Sequence, residues 1–286
     1  VIAMWQKSYD GSPSLYLIAT PIGNLDDITK RSIDTLEMVD VVFSEDTRVT
    51  GMLLDHLGIK KKLIALHDHN EGTIKEKVLQ CLQDGKNVAL VTDRGTPVIS
   101  DPGYKTVKYV TANNYNVIAL PGPCAFIPAL ITSGLAPQPF MFYGFLNSKD
   151  SKRKKDLEDL VDVKWSMIFY EAPHRIISTL ELMLEVLGDR NICVAREITK
   201  KFESIYRGKI SDLIKSNEEL KGEFVIVVEG SNDTFDYNDL SIVDHVDMYV
   251  NGKTKMDIMS AIKRVAKDRN VSKNIIYKEY HLGRKK

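Results

Sequence analysis

The sequence predicts an α/β protein: two α/β domains with a ligand cleft between them, followed by a small helical domain of helix-turn-helix size. Three observations carry this reading. Short apolar runs that read as strands alternate with segments whose apolar residues recur at helical spacing. Several of those strands end in turns containing Gly or Pro, and the strand ends of a parallel sheet open on the edge where α/β proteins gather ligands. Beyond Asp239 the pattern becomes helical and basic.

Leu15 to Thr20 reads as the first strand and runs into Pro21-Ile22-Gly23-Asn24. Ile28 to Met38 follows as a helix with Ile28, Ile33 and Leu36 on one face. Strands at Val41 to Ser44 and Leu63 to Leu66 come next, then a helix over Thr73 to Leu82 that aligns Ile74, Val78 and Leu82. Strands at Val88 to Thr92 and Val117 to Leu120 complete a βαβ alternation, which implies a mostly parallel sheet covered on both faces. This first domain spans 15–146. Phe140 to Ser151, preceded by Pro137 and Pro139 and ending in the polar run Asn147 to Ser151, reads as a linker. The second domain, 147–233, holds a strand at Ser166 to Tyr170, a helix at His174 to Val186, a strand at Asn191 to Ala195 and a closing pair at Glu203 to Gly208 and Glu223 to Glu229. In the third, 239–286, Met256 to Lys267 places Met256, Met259, Ile262, Val265 and Ala266 on one helical face. A second short helix follows Asp268-Arg269-Asn270 and uses Val271, Ile275 and Tyr280.

At 286 residues and 43% hydrophobic, the chain is long enough to divide its core. Lys+Arg and Asp+Glu are both 39, so no overall charge selects a nucleic acid or a membrane. Local charge is uneven: Asn251 to Lys286 carries eleven Lys and Arg against three Asp and Glu, and Lys149 to Lys155 is a second basic run. Cys81, Cys124 and Cys193 are odd in number and far apart in apolar or small-residue surroundings, which fits reduced thiols in a cytoplasmic protein better than a disulfide framework or a zinc site. No apolar run approaches a membrane span, and Val1 to Ser14 lacks a signal peptide's apolar core.

The densest signal is Asp93 to Gly103, DRGTPVISDPG, directly behind an apolar strand. A chain that bends through Gly-Thr-Pro and again through Asp-Pro-Gly presents backbone amides and carbonyls to a ligand. No Gly-x-Gly and no Gly-Lys-Ser/Thr occurs, so neither the dinucleotide fingerprint nor a P-loop is present.

TPIGNLDDIT (Thr20 to Thr29), SEDTR (Ser44 to Arg48), HDHN (His67 to Asn70), GTPVISDPG (Gly95 to Gly103), LPGP (Leu120 to Pro123), FYEAPHR (Phe169 to Arg175), REITK (Arg196 to Lys200) and KGEFVIVVEG (Lys221 to Gly230) together resemble the ribosomal RNA small subunit methyltransferase I family of the tetrapyrrole methylase superfamily. The similarity runs in order from Leu15 to Gly230, and the basic tail resembles that family's C-terminal helix-turn-helix domain. It implies S-adenosylmethionine held in the cleft and methylation of the 2′-hydroxyl of a cytidine in the decoding region of 16S rRNA, naked or in the assembled small subunit, by a homodimer. By position it places cofactor contacts at Pro21, Gly95, Thr96, Ile99, Cys124, Ala125, Glu171 and Ile198. Arg94, inside the same loop, stands where relatives usually have alanine, and its guanidinium either pairs with the methionine carboxylate or repels the sulfonium.

Transfer to a ribose hydroxyl calls for a base, because that hydroxyl is a poor acid. Glu45 matches the position of a superfamily acid proposed for this role; an N-cap or a surface partner for Arg48 is the alternative. His69, which with His67 flanks Asp68, reads as a polar lining for ribose or phosphate or as plain surface loop, and no metal is assigned. Lys200 suits orienting a phosphate or stabilising the developing oxyanion, against an ordinary salt-bridge role for the REITK charges. Candidate RNA contacts are Arg48, Lys152, Arg153 and Arg175 in the first two domains and Lys263, Arg264 and Lys267 on the tail, where a solvated basic cap is the alternative. Two other functions compete: methylation of a tetrapyrrole or other small molecule, which leaves the basic tail without a purpose, and non-catalytic RNA binding, which Arg94 favours.

Overall fold

The computed structural model describes residues 5–8, 10–216, 218, 220–231, 240–251 and 256–283. The N-terminal segment expected to lack a signal core, and the basic residues Lys253, Lys255, Arg284, Lys285 and Lys286, fall wholly or partly outside them. The chain divides into two compact units, Val1–Ser231 and Asn232–Lys286.

The first unit contains two sheets. One is built from β1 (Ser14–Ile18), β2 (Val41–Ser44), β3 (Lys62–Ala65), β4 (Val88–Val91) and β5 (Asn116–Leu120) in the order β3-β2-β4-β1-β5, with every pair parallel. Side chains alternate across each strand, and here both faces are apolar. Ile18, Val42, Ala89, Val91, Ile118 and Leu120 meet Leu36 and Leu54 from α1 (Lys30–Met38) and α2 (Thr47–His56). Leu15, Val41, Phe43, Val88 and Leu90 meet Val78, Leu82 and Val110 from α3 (Glu71–Gln83) and α4 (Tyr104–Ala112). Helix starts are capped locally: Thr29 accepts from Ser32 N, and Asp46 accepts from Arg48 N.

The second sheet runs β6 (Phe140–Phe145), β7 (Ser166–Glu171), β10 (Phe224–Val228), β8 (Asn191–Arg196), β9 (Ser204–Lys209); β6 and β7 are parallel and the other pairs antiparallel. The expected linker over Phe140 to Ser151 is therefore corrected. It supplies the edge strand β6 and the start of α6 (Asp150–Glu158), so the second sheet begins before residue 147. The strand lacks an alternating pattern because its pairing with β7 shifts register between Phe142 and Gly144, where Gly144 takes φ +84°.

One face of this sheet packs Met167, Phe169, Ile192, Val194 and Ile226 against α6, α7 (Ile176–Leu187) and α8 (Ile210–Lys215). Against the other lies α5 (Phe126–Thr132), which follows the first sheet in sequence but buries Ala129 and Leu130 on Ile168, Cys193, Ala195, Val225 and Val227, together with Ile22 from the turn after β1. One apolar cluster thus ties the turn after β1 and helix α5 to the second sheet.

Among its described residues the second unit holds three helices: α9 (Ile242–Asn251), α10 (Ile258–Asp268) and α11 (Lys273–Gly283). Two were expected. Val246 of α9 shares a core with Ala261, Ile262, Val265, Ala266, Ile276 and Tyr280. Met259, Val271 and Ile275, expected inside, are exposed, and Ile276 takes the inward position on α11. Among the described residues no helix is long and apolar enough to cross a membrane.

Leu130→Ala should lower the unfolding free energy of the first unit by about 2–5 kcal/mol, the usual cost of truncating a buried leucine, because Leu130 sits in the cluster that ties α5 to the second sheet. Urea unfolding checks this. Both sheets should still lose structure in a single transition.

Candidate functional site

A cavity of about 460 Å³ opens at the carboxyl ends of the first sheet's strands and is closed by the second sheet. Ile22, Arg94, Gly95, Thr96, Ile99, Ser100, Asp101, Cys124 and Ala125 come from the turns after β1, β4 and β5; Phe145, Tyr170 to Pro173, Ile198 and Glu223 to Val225 come from the second sheet and its loops. The first-sheet contributors surround the point where the chain leaves β1 in one direction and β4 in the other, where open α/β sheets bind ligands.

Backbone bonds fix these turns. Thr20 N donates to Gly95 O and Gly95 N to Thr20 O, both at 2.9 Å, so the turns after β1 and β4 are paired. Thr20 Oγ1 donates to Thr92 O at 3.1 Å, and Thr96 Oγ1 to Pro123 O at 3.0 Å, which brings in the turn after β5. Gly95 has φ +83°, and a Cβ there would lie 3.3 Å from Ile22 Cγ2 and 3.8 Å from Pro123 O; the loop needs glycine for its conformation and for the close approach. Val98 and Ser100 also have positive φ, 76° and 62°, as do Glu197 and Thr199 on the opposite side, 51° and 69°. Left-handed geometry at a β-branched residue is costly and collects where a binding surface demands it.

A chain of charges spans the cavity rim. Arg94 Nη1 lies 2.7 Å from Glu223 Oε1, Glu223 Oε2 lies 2.8 Å from Lys200 Nζ, and Lys200 Nζ lies 2.9 Å from Glu197 Oε1. Arg94 is thus paired with the carboxylate of the residue that precedes β10. Lys200 extends across Gly23, where any Cβ would collide with its aliphatic stem. Its ammonium is committed to two carboxylates, and these hold its pKa up against burial, which lowers it.

The lining includes Arg94, Gly95, Thr96, Ile99, Cys124, Ala125, Glu171 and Ile198 from the expected set. Pro21 is the exception, being buried beside the lining residue Ile22. Glu171 reaches the cavity from a side chain otherwise engaged: its carboxylate accepts from Thr179 Oγ1 at 2.6 Å and pairs with Arg175 Nε at 3.1 Å. Arg175 also donates to Leu146 O at 3.0 Å, so it braces the second sheet's loops and is not available to phosphate. Arg153 is corrected likewise. It is 3% exposed, with its guanidinium on Thr179 Oγ1 and Asp150, and belongs to the interior. Arg48 folds back on Asp46, which caps α2 and is held well below the ordinary carboxylate range, at about 2, by Arg48's side chain and amide. Lys152, Lys263 and Lys267 are exposed, and Arg264 pairs with Asp268 at 3.1 Å.

Of the expected catalytic groups, Glu45, His69 and Lys200 all lie outside the lining. His69 is exposed, with its ring 6.0 Å from that of His67, and among the described residues no group of three or more His, Cys, Asp or Glu side chains could hold a metal ion. Besides Glu171 and Glu223 the wall carries Asp101, whose place in Asp-Pro-Gly marks it in the sequence only as a turn residue. Burial pushes its carboxyl up to about 6; Thr92's hydroxyl opposes the shift, while the charges of Glu45, Asp93 and Asp68 add to it. Glu45 stands behind it, accepting from Thr92 Oγ1 at 3.1 Å. Burial likewise pushes the Tyr170 phenol far above its ordinary value and keeps it neutral. The Asp-Pro-Gly signature marked the bend but carried no information about burial.

Residues 14–214 match the family described as Tetrapyrrole (Corrin/Porphyrin) Methylases. The chain is 46% identical over 289 residues to ribosomal RNA small subunit methyltransferase I of Bacillus subtilis, covering 97% of this chain and 98% of that protein. It is 42% identical to the protein of the same name from Vibrio cholerae over 94% of each. Among solved structures, uroporphyrin-III-C-methyltransferase from Thermus thermophilus superposes with a TM-score of 0.55 at 18% identity, covering 76% of this chain and 94% of that one, a likeness of fold.

Asp101→Asn should stabilise the protein relative to the unsubstituted chain increasingly as pH rises from about 4 to about 6. The folded-state carboxyl, at about 6, holds its proton more tightly than an unperturbed aspartate, at 3.8, so its contribution is favourable at low pH and is lost as pH rises through 6. Urea midpoints of both proteins across that range check the sign.

Proposed function

The chain belongs to the ribosomal RNA small subunit methyltransferase I family of tetrapyrrole methylases, and from that premise we propose that it methylates the 2′-hydroxyl of a cytidine in the decoding region of 16S rRNA, using S-adenosylmethionine. The observation that carries this reading is the cavity itself, in which a proton-accepting carboxylate, Asp101, shares walls with a glycine-lined ligand loop.

The residues present fit S-adenosylmethionine. The volume of about 460 Å³ lies within the ordinary range for small-molecule sites. Ile99, Ala125, Ile198 and Val225 offer apolar surface for an adenine face, the side-chain-free backbone at Gly95 permits close approach to a nucleoside, and Glu223 and Arg94 provide opposite charges at the rim for an amino-acid moiety. Bound there, the cofactor supplies an electrophilic methyl group on a sulfonium.

What the chain's own residues must manage is the proton of the acceptor hydroxyl. Asp101, with its carboxyl near 6, is poised to take a proton close to working pH, where general bases operate best. Thr92 has one hydroxyl proton, now directed at Glu45. Thr92's contact with Asp101 favours the ionised, proton-accepting carboxylate, and Glu45 fixes the position of the Thr92 hydroxyl. Glu45, the position singled out by resemblance, acts here through Thr92. Lys263 and Lys267 remain candidates for binding the RNA backbone.

Asp101→Asn should lower methyl transfer at saturating cofactor and RNA by about a hundredfold or more, the scale of losing a general base, with cofactor affinity unchanged and the acid limb of the rate profile near pH 6 abolished. Glu45→Gln should cost less and leave that limb in place. Transfer assays on 16S rRNA with calorimetric cofactor titration decide, and the reverse ranking would return the role to Glu45.

Gly95→Val should weaken cofactor binding at least tenfold without unfolding the first unit. The new side chain is strained at φ +83° and presses on Ile22 and the Pro123 carbonyl. Calorimetry together with circular dichroism checks both halves of that statement.

A further inference from the structure

A second concavity, of about 350 Å³, lies between α3 and α4, lined by Lys75, Tyr104, Lys105, Lys108, Tyr109 and Ala112. Its character differs from that of the cavity, since three of its six lining residues are lysines. None of the three forms an ion pair among the described residues, whereas Lys30, Lys86, Lys154 and Lys200 each do. Helical spacing explains the arrangement: Tyr104, Lys105, Lys108, Tyr109 and Ala112 fall on one face of α4 at positions one, two, five, six and nine, and Lys75 meets that face from α3. Lys75 Nζ sits 4.9 Å from the centre of the Tyr109 ring, a cation over an aromatic face. Tyr104 is 62% exposed, with no ring contact among the described aromatic pairs.

The two helices are locked together. Glu71, buried at the start of α3, accepts a hydrogen bond from Thr106 N in the first turn of α4 at 2.9 Å. Gly103 lets α4 begin tight against the sheet, for a Cβ there would lie 2.7 Å from Leu90 Cδ2. The concavity is therefore preformed. It also adjoins the cavity, because Ser100 and Asp101 line the cavity and Tyr104 begins α4 three residues after Asp101.

We propose that Lys75, Lys105 and Lys108, with Tyr104 as a stacking surface, form a docking platform for the RNA strand that flanks the methylated nucleotide. Unpaired ammonium groups complement phosphates and release counterions on binding, and an exposed aromatic ring among them stacks an unpaired base irrespective of sequence. This assignment rests on the RNA-methylating reading above. It also meets a need left open there, since Arg153 and Arg175 are engaged inside the fold and Arg48 is paired with Asp46.

The test compares the full chain with the double variant Lys105→Gln/Lys108→Gln and, separately, Tyr104→Ser, all at exposed positions. The probe is a naked 16S rRNA transcript, bound at several salt concentrations and methylated at saturating S-adenosylmethionine. The double variant should bind RNA about tenfold more weakly and lower the slope of log affinity against log salt by about 1.4–1.8, from 0.7–0.9 per lost phosphate contact. Tyr104→Ser should weaken binding with its salt slope unchanged. In both, KM for RNA should rise while kcat and cofactor affinity stay the same. Unaltered RNA affinity and slope, with methyl transfer intact, would overturn the platform and leave the function standing. An unsubstituted chain that binds S-adenosylmethionine but transfers no methyl to RNA would overturn the function and the platform together. Weakened binding to assembled small subunits but not to naked transcript would assign the surface to a protein partner and overturn the RNA assignment.

Discussion

The apolar cluster that fastens the turn after β1 and helix α5 to the second sheet is the constraint on which the site depends. Ile22, Ala129 and Leu130 come from turns and a helix that follow strands of the first sheet, yet they are buried against Ile168, Cys193, Val225 and Val227 of the second. Burying apolar area of this kind is the main favourable term in folding, and here it fixes the distance between the sheets. The turns after β1, β4 and β5 then face Tyr170 and Ile198 across a defined gap. Without that attachment the cavity walls would be free to drift; with it the gap is a property of the fold.

Within that frame, the loops around the cavity are held away from their local preferences. Val98, Ser100, Glu197 and Thr199 all have positive φ, and each loop is tied down by its neighbours: the Thr20–Gly95 backbone pair and the Thr96 bond on one side, the Lys200–Glu197 and Lys200–Glu223 pairs on the other. The Arg94–Glu223 contact joins the two sides, but 57% and 61% side-chain exposure limits its strength to well under that of a buried pair. The rigid elements are the backbone bonds and the apolar cluster. The rim charges orient groups at the mouth and contribute little to stability.

Charge is used in two ways that composition cannot separate. Arg153 and Arg175 are internal braces, bound to Thr179, Leu146 O and Glu171, because a guanidinium with several donors can satisfy buried acceptors that would otherwise be costly. Lys75, Lys105 and Lys108 line an open concavity and form no ion pair among the described residues. Among the acids the division is similar. Asp46 is exposed and kept ionised by Arg48, whereas Asp101 is partly buried beside other negative charges and keeps its proton to about pH 6.

Much was legible in the sequence because it rests on local signals. The parallel sheet followed from apolar runs alternating with helices, the ligand loops from Gly and Pro at strand ends, and the family from eight ordered motifs, which also placed Gly95, Thr96, Ile99, Cys124, Ala125 and Ile198 at the cavity. Tertiary structure alone decided the rest. Phe140–Phe145 became a strand because β7 offered it a partner, despite a bulge that erases its periodicity. Val246 made α9 part of a three-helix core, and Ile276 displaced Ile275 from it, because which apolar face turns inward depends on the helices packed against it. Asp101's raised carboxyl comes first from burial, against the opposing effect of Thr92 and with the added charge of Glu45, a residue distant in sequence. Hydrogen-bonding and helical preferences are written residue by residue, but burial and electrostatic surroundings are sums over neighbours that only the folded chain assembles.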